Sequence, residues 1–252
     1  MKQEYLKEMK KLVDICHSNL KNSEVCLSYL HDRGVSNLDI EKYKIGFFPQ
    51  NTSTLANHIS PEFMQKTSIM NYAGYSPFSD RFFMVLPIHS EYGEPIAIIG
   101  RTLLDDNERS LLGLPKYKNS SYKKSKNLYN LNNARAAILK KQNCFVVEGN
   151  FDAITVSSNG IPNVVGICGA AFSRHHLCKL AKYTDKITFL LDSDDAGKIA
   201  MRNISKKFAN KGIKLRFCKL PDGVKDVDDY FNKNGGTKKS FYSEVKSFIP
   251  NW

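Results

Sequence analysis

CFVVEGNFD at residues 144–152 and ITFLLDSDDAG at residues 187–197 are short apolar runs that break off into carboxylates and glycine. Apolar runs this short, rich in β-branched and aromatic residues, predict strands buried on both faces. Outward from them, strand-like and helix-like stretches alternate. CFVVEG (144–149) is followed by a helix through Ser158, NVVGIC (163–168) by a helix from Ser173, ITFLLD (187–192) by a helix from Ala196, and the series closes on IKLRFCKL (213–220). Alternation of this kind predicts a mainly parallel α/β sheet. In such sheets functional groups gather at the carboxyl ends of the strands. The acids lie there: Glu148 at one strand tip with Asp152 a helical turn on, Asp192 and Asp194 on one side of the third strand's end, and Asp226 and Asp228 after the fourth. Carboxylates crowded at one edge repel unless cations neutralise them, so two or more hard divalent ions, Mg²⁺ or Mn²⁺, are expected. For any one Asp, capping of a helix N-terminus is an equally good reading. A calcium loop is excluded because Asn203 stands where its twelfth-position Glu is needed. Ala196 stands where an aspartyl-phosphate enzyme would carry Thr or Val.

The first half is mixed α and β. Leu12, Ile15 and Cys16 recur at helical spacing, and Ser23 is a cap for a second helix that ends at Arg33-Gly34. Residues 81–88 and 94–104 flank Ser90-Glu91-Tyr92-Gly93 and predict an antiparallel hairpin. The expected division is a basic N-terminal unit over 1–142 and a catalytic unit over 143–252 that ends in a short helical extension.

Thirty-seven Lys and Arg against 25 Asp and Glu give the 252-residue chain a net charge of +12, which favours a polyanionic partner. Eight of those charges fall between Gly113 and Lys141, a stretch without a single acid: Lys116, Lys118, Lys123, Lys124, Lys126, Arg135, Lys140 and Lys141. Tyr117, Tyr122 and Tyr129 are interleaved with them. Cations for phosphates and rings for bases compose a single-strand nucleic-acid track, although a plain basic loop has the same composition. The cysteines lie in no C-x-x-C pair, so zinc is not expected, and buried reduced thiols are. The apolar runs fall far short of the ~18–20 residues of a membrane span. MKQEYLKEMKKLVD has no signal-like apolar core. A cytoplasmic protein that does not engage membranes is expected.

Glu-Gly-x-x-x-Asp after one strand and Asp-x-Asp after another resemble the Toprim domain of topoisomerases, primases and some nucleases. YLHDRGVSNLDIEKYKIGFFP (29–49), Asp80-Arg81-Phe82, Leu86-Pro87-Ile88, Gly100-Arg101, PKYKNS (115–120), LYNL (128–131) and LPDGVKDVDD (220–229) narrow the resemblance to the DnaG-type primase catalytic core. The resemblance implies a template-dependent polymerase that makes short RNA primers from NTPs on single-stranded DNA. It implies Glu148, Asp152, Asp192, Asp194, Asp226 and Asp228 as metal-binding acids, with Asp192 and Asp194 the strongest ligands and Glu148 a general base or acid. Arg81, Arg101, Lys116, Tyr117, Asn119 and Lys124 fall on its nucleotide- and template-binding face.

Departures accompany it. The segment after Asp80-Arg81-Phe82 is two residues short of the family pattern and lacks further arginines, and Ala170 replaces a Thr. The resemblance leads to the expectation that no zinc-binding domain precedes residue 1, and that Trp252 falls about where a helical bundle and a helicase-binding domain would continue. The expectation is a compact bacteriophage or mobile-element core that acts in a bacterial cytoplasm or an infected cell. It would start unspecifically, or use a replicative helicase or a separate zinc-binding protein as partner. A Toprim nuclease and a non-catalytic DNA- or replisome-binding module are the alternatives.

Overall fold

Leu12, Val13 and Cys16 occupy the inner face of α1 (Lys2–Asn19) in the computed structural model, whose described residues are 2–169, 171–192, 194–208 and 212–248. The Ala170 substitution and the chain end at Trp252 lie outside the described residues. A short 3₁₀ turn leads to α2 (Glu24–Asp32), where the Ser23 hydroxyl accepts from the Cys26 N–H as the cap expected from sequence. α3 (Asn37–Tyr43) opens on a reciprocal Ser36–Asp39 capping box. The chain then enters an antiparallel sheet as β1 (Gly46–Phe47). Three short helices follow, α4 (Ser53–Ala56), α5 (Pro61–Lys66) and α6 (Pro77–Asp80). The hairpin is β2 (Met84–His89) with β3 (Pro95–Arg101), Val85 standing opposite Gly100. After α7 (Asp106–Leu111), β4 (Tyr117–Asn119) completes the order β1-β2-β3-β4. Met9, Leu12 and Cys16 pack against Phe78, Val85 and Ile98 in the core of this unit.

The second unit begins with a 3₁₀ turn over Lys124–Lys126 and α8 (Leu131–Lys141). Strands and helices then alternate as the sequence predicts: β5 (Cys144–Val147), α9 (Asn150–Ser158), β6 (Val164–Gly166), α10 (Arg174–Leu180), β7 (Lys186–Leu190), α11 (Asp195–Phe208) and β8 (Lys214–Lys219). A π-helical turn (Asp229–Lys233) and α12 (Lys238–Glu244) lead to β9 (Lys246–Phe248), which pairs antiparallel with β8. A strand therefore follows the last helix where only a helical extension was expected. The order is β6-β5-β7-β8-β9, with the first four parallel.

Alternation along the strands sends Val146, Phe189 and Phe217 to one face, where Leu177 of α10 and Met201 and Ile204 of α11 cover them. Phe189 stacks on Phe217 at 5.2 Å between centroids, and Phe172 meets Phe189 edge-on at 4.9 Å. Truncating a ring at the centre of such a cluster costs about 3–5 kcal/mol.

The compact units are Met1–Tyr122 and Lys123–Trp252, whereas the sequence suggested 142/143. The difference is α8. Its Leu131, Ala134 and Ile138 belong to the second core, and the backbone of Tyr129 bridges Gly166 at the end of β6. Four cysteines, Cys16, Cys26, Cys144 and Cys218, are buried as expected, but Cys168 is half-buried and Cys178 exposed. No helix among the described residues is long and apolar enough to cross a membrane.

Candidate functional site

β5 has β6 on one side and β7 on the other, so the strand order reverses at β5 and a crevice opens beyond the carboxyl ends of β5 and β7. Glu148 leaves β5 there, and Asp192 follows β7. The Asp192 backbone N–H donates to Glu148 Oε1 at 3.2 Å, which ties the two strand ends together. Burial pushes the Asp192 carboxyl up to about 7, and the negative charges of Glu148, Asp152, Asp226 and Asp194 add to the effect. Five of the six acids expected from sequence thus act as one electrostatic cluster. Asp228 is turned toward α9, where its Oδ1 accepts from Thr155 Oγ1 and Asn232 Nδ2, each at 2.9 Å.

Capping holds several of these carboxylates in place. Asp152 Oδ2 accepts from Gly149 N at 2.7 Å, Asp194 Oδ1 from Gly197 N at 2.8 Å, and Asp226 Oδ1 from Asp229 N at 2.8 Å. Gly197 permits a close backbone approach, because a Cβ there would lie 2.1 Å from the Asp192 carbonyl oxygen. The donors are all oxygens, which suits a hard divalent ion, and the charges of four neighbouring carboxylates bear on Asp192. Among the described residues, no three Asp, Glu, His or Cys side chains stand close enough to share an ion. The cluster fits a divalent ion by donor type and charge, with its side chains hydrogen-bonded to the protein. Beside Glu148 a largely apolar cavity of about 570 Å³ runs past Phe172, Leu191 and Ile199 to Lys207.

In the first unit, cations gather around two tyrosines. The Arg101 guanidinium lies 5.1 Å from the ring centres of both Tyr29 and Tyr117 and donates to the Tyr117 hydroxyl. Arg33 donates to the Tyr29 hydroxyl at 3.0 Å. The Lys116 pKa is lowered, first by desolvation and then by Arg101 and Arg33. The expected Lys116, Arg101 and Tyr117 therefore belong to one positive cluster, with Arg33 and Tyr29 as members the sequence reading did not assign. Tyr29 and Arg33 are an i,i+4 pair, but their meeting with Arg101 joins distant segments and leaves no local spacing signal. Asn119 lies on β4 beside them, and its Oδ1 is buried without a hydrogen-bond partner. Arg81 is exposed and ion-pairs with Asp80 at 3.4 Å.

The basic tract is divided between the two compact units. β4 belongs to the first unit and residues from Lys123 onward to the second. Tyr129 is 3% exposed and cannot serve as a stacking platform, which corrects its reading as one of the tract's base-stacking rings. Lys124 lies in the second unit near the acids: its charge and that of Asp152 both act on Cys168, whose thiol burial pushes up to about 12. The Lys124 carbonyl accepts from His176 Nε2 at 2.9 Å, so the imidazole fixes the turn that carries the lysine.

A family described as the DNA primase catalytic core, N-terminal domain, matches residues 15–135, and one described as Toprim-like matches residues 145–231. The chain belongs to the DnaG-type DNA primase catalytic cores. A DNA primase of Rickettsia felis is 33% identical over an alignment of 229 positions that covers 83% of this primase core and 36% of the relative. The chain spans little more than a third of the length of that relative. The zinc-binding and RNA polymerase domains of the Aquifex aeolicus primase share the fold with a TM-score of 0.84 and 26% identity, over 98% of this chain and 62% of that one. A DnaG primase catalytic domain solved bound to single-stranded DNA has a TM-score of 0.78 and 27% identity, over 96% of this chain and 80% of that one. Toprim domains of primases bind divalent metal ions.

Proposed function

We propose that this primase core makes short RNA primers from ribonucleoside triphosphates on a single-stranded DNA template. The observation that carries the proposal is the Asp192 cluster, where Glu148, Asp152, Asp194 and Asp226 bear on one carboxyl raised to about 7 at the reversal of strand order. Joining two nucleotides requires a 3′-hydroxyl to attack an α-phosphate in line, with pyrophosphate leaving. Asp192 and Asp194 would hold Mg²⁺ or Mn²⁺, with Asp152, Asp226 and Asp228 completing the acidic edge. Bound divalent ions supply charge neutralisation on the phosphates and make the hydroxyl more acidic. Glu148, fixed at the end of β5, is placed to take the hydroxyl proton as general base, or to return one as acid. Asp152, Asp194 and Asp226 hold their positions through backbone N–H bonds, so less reorganisation is needed when charge develops.

Arg101, Lys116, Tyr117 and Asn119 would meet phosphates and bases of template or nucleotide, with Arg33 and Tyr29 holding Arg101 in place. Lys124 would serve the same purpose from the second unit, and Arg81 after exchanging Asp80 for a phosphate. The related catalytic domain bound to single-stranded DNA supports this choice of template. Such work belongs in a bacterial cytoplasm or an infected cell, with a replicative helicase or a zinc-binding protein as a further partner.

The test is a gel assay with labelled single-stranded DNA, four NTPs and Mg²⁺ or Mn²⁺. Short NTP-dependent RNA, lost in Asp192→Asn, supports the proposal. Template fragments without synthesis assign the acids to a nuclease. An inert template, even with helicase and zinc module added, leaves a binding role and refutes synthesis.

A further inference from the structure

The sheet of the second unit has another concave site, at the opposite ends of its strands. A cavity of about 600 Å³ opens where Asn143 and Phe145 enter β5, Lys186 and Thr188 begin β7, and Arg216 lies on β8. Phe145, Thr188 and Arg216 are paired in register across the three strands, so their side chains share one face. It is the face away from Phe189 and Phe217. Tyr242 of α12 and Lys246 of β9 form the far wall. Glu148 and Asp192 leave the other ends of β5 and β7.

Among the described residues, four cations line this cavity, Lys141, Lys186, Arg216 and Lys246, and no carboxylate does. Elsewhere, lysines of this chain that lie near acids are paired: Lys10 with Asp14, Lys44 with Glu41, Lys66 with Glu62, Lys198 with Asp195, Lys219 with Asp222 and Lys233 with Asp229. A solvated basic face would be convex and mixed in sign; this one is concave and of one sign. Its floor is built from polar groups. Thr188 and Asn163 are 4% and 1% exposed, Thr188 Oγ1 donates to Asn143 Oδ1 at 2.9 Å, and Asn163 Nδ2 donates to the Asn143 carbonyl at 3.0 Å. Lys141 Nζ donates to Asn163 Oδ1 at 3.1 Å, which fixes its ammonium at the floor's edge, where desolvation lowers its pKa. The Tyr242 ring is 52% exposed at the rim.

We propose that this cavity is a second phosphate site that takes a nucleoside triphosphate, with the phosphates held by Lys141, Lys186, Arg216 and Lys246 and the base laid against Tyr242. Like-charged groups around the buried Thr188 and Asn163 favour a polyanion, and an aromatic rim favours one that carries a base. The volume lies within the range of small-molecule sites and suits one nucleotide. Binding here requires neither the acidic edge nor primer synthesis.

The test is calorimetric titration of the full chain with ATP in EDTA, which removes divalent ions from the acidic edge. Arg216 and Lys246 are exposed, so Arg216→Ala with Lys246→Ala should retain the fold, checked by circular dichroism and melting; Arg216→Gln with Lys246→Gln is the milder pair. The double variant should weaken ATP binding by about tenfold or more, whereas Asp192→Asn should leave it unchanged. Tyr242→Ala should weaken ATP but not inorganic pyrophosphate. No saturable ATP binding in EDTA, or equal affinity in wild type and double variants, overturns the proposal. Loss of dT₁₂ binding with ATP binding intact overturns it too, by giving the cavity to a strand.

Discussion

Gly197→Ala tests whether the acidic edge is built by backbone approach. A Cβ at this position would lie 2.1 Å from the carbonyl oxygen of Asp192 and 3.0 Å from its carbonyl carbon. Non-bonded heavy atoms settle near 3.5 Å, so the first turn of α11 and the chain after β7 must part by about 1 Å. Both sides of the contact are backbone, and no flexible side chain can absorb the shift. Overpacking of this kind costs about 1–3 kcal/mol, and each kcal/mol lowers Tm by about 2–4 °C in a chain of this size. Asp192 also donates to Glu148, so its displacement disturbs two carboxylates together. A 1 Å misplacement of reacting groups costs about 10²-fold in rate. Gly235→Ala is the control: Gly235 has φ +67° with nothing within 4 Å of a Cβ, so it carries left-handed strain alone, about 1–2 kcal/mol. Melting in EDTA and titration with Mn²⁺ give the two readouts. Gly197→Ala should lose both stability and Mn²⁺ affinity, and Gly235→Ala stability only. Wild-type Mn²⁺ affinity in Gly197→Ala, or a loss no larger than in the control, would refute the close-approach argument.

Asp192→Asn should raise Tm in EDTA while abolishing Mn²⁺ binding, because it removes a charge that four neighbouring carboxylates oppose; a lower Tm would show that the repulsion is compensated. Lys116→Glu should weaken single-stranded DNA binding and reduce the slope of log K against log salt by about 0.7 or more, and an unchanged slope would place the strand elsewhere. Burial lowers the His89 imidazole to about 4, against about 6.5 in an unfolded chain. The unfolded chain takes up this proton first, so His89 contributes stability fully above about pH 6.5 and loses it as pH falls toward about 4. His89→Gln should therefore melt with a shallower loss of Tm between pH 7 and pH 5, and a decline as steep as wild type would contradict the assignment.

The second half of the fold was legible because its signals are local. A buried parallel strand needs an apolar run, its end needs turn residues, and CFVVEGNFD and ITFLLDSDDAG carry both within a dozen residues. Features joined across the chain were less legible. Leu131, Ala134 and Ile138 announce a helix by their spacing, but spacing does not say which sheet that helix covers, so its packing into the second core could not be read. Tyr129 sits among lysines as a stacking ring would, yet its backbone pairs with Gly166 and its side chain is buried. Arg101 was expected on a binding face, but its seat between Tyr29 and Tyr117 depends on the sheet bringing β3, β4 and the end of α2 together. The cavity between Lys141 and Lys246 left no motif at all, because its cations come one each from separate elements.

Capping and ion binding were set against each other as readings of the acids, and the geometry makes the two compatible. Asp152, Asp194 and Asp226 each accept a backbone N–H within their own turn, as capping residues do. Such bonds fix the carboxylates in position. Three anions held this way cannot move apart when they repel a fourth. Asp192 carries the consequence: partly desolvated and facing these charges, its carboxyl is displaced upward to about 7. A cluster capped but not crowded would gain stability and have no demand for a cation. One crowded but not capped would splay into solvent and lose its geometry. Only the combination produces an edge that is rigid and under-neutralised, so that a divalent ion entering it gains the electrostatic energy that folding has stored there.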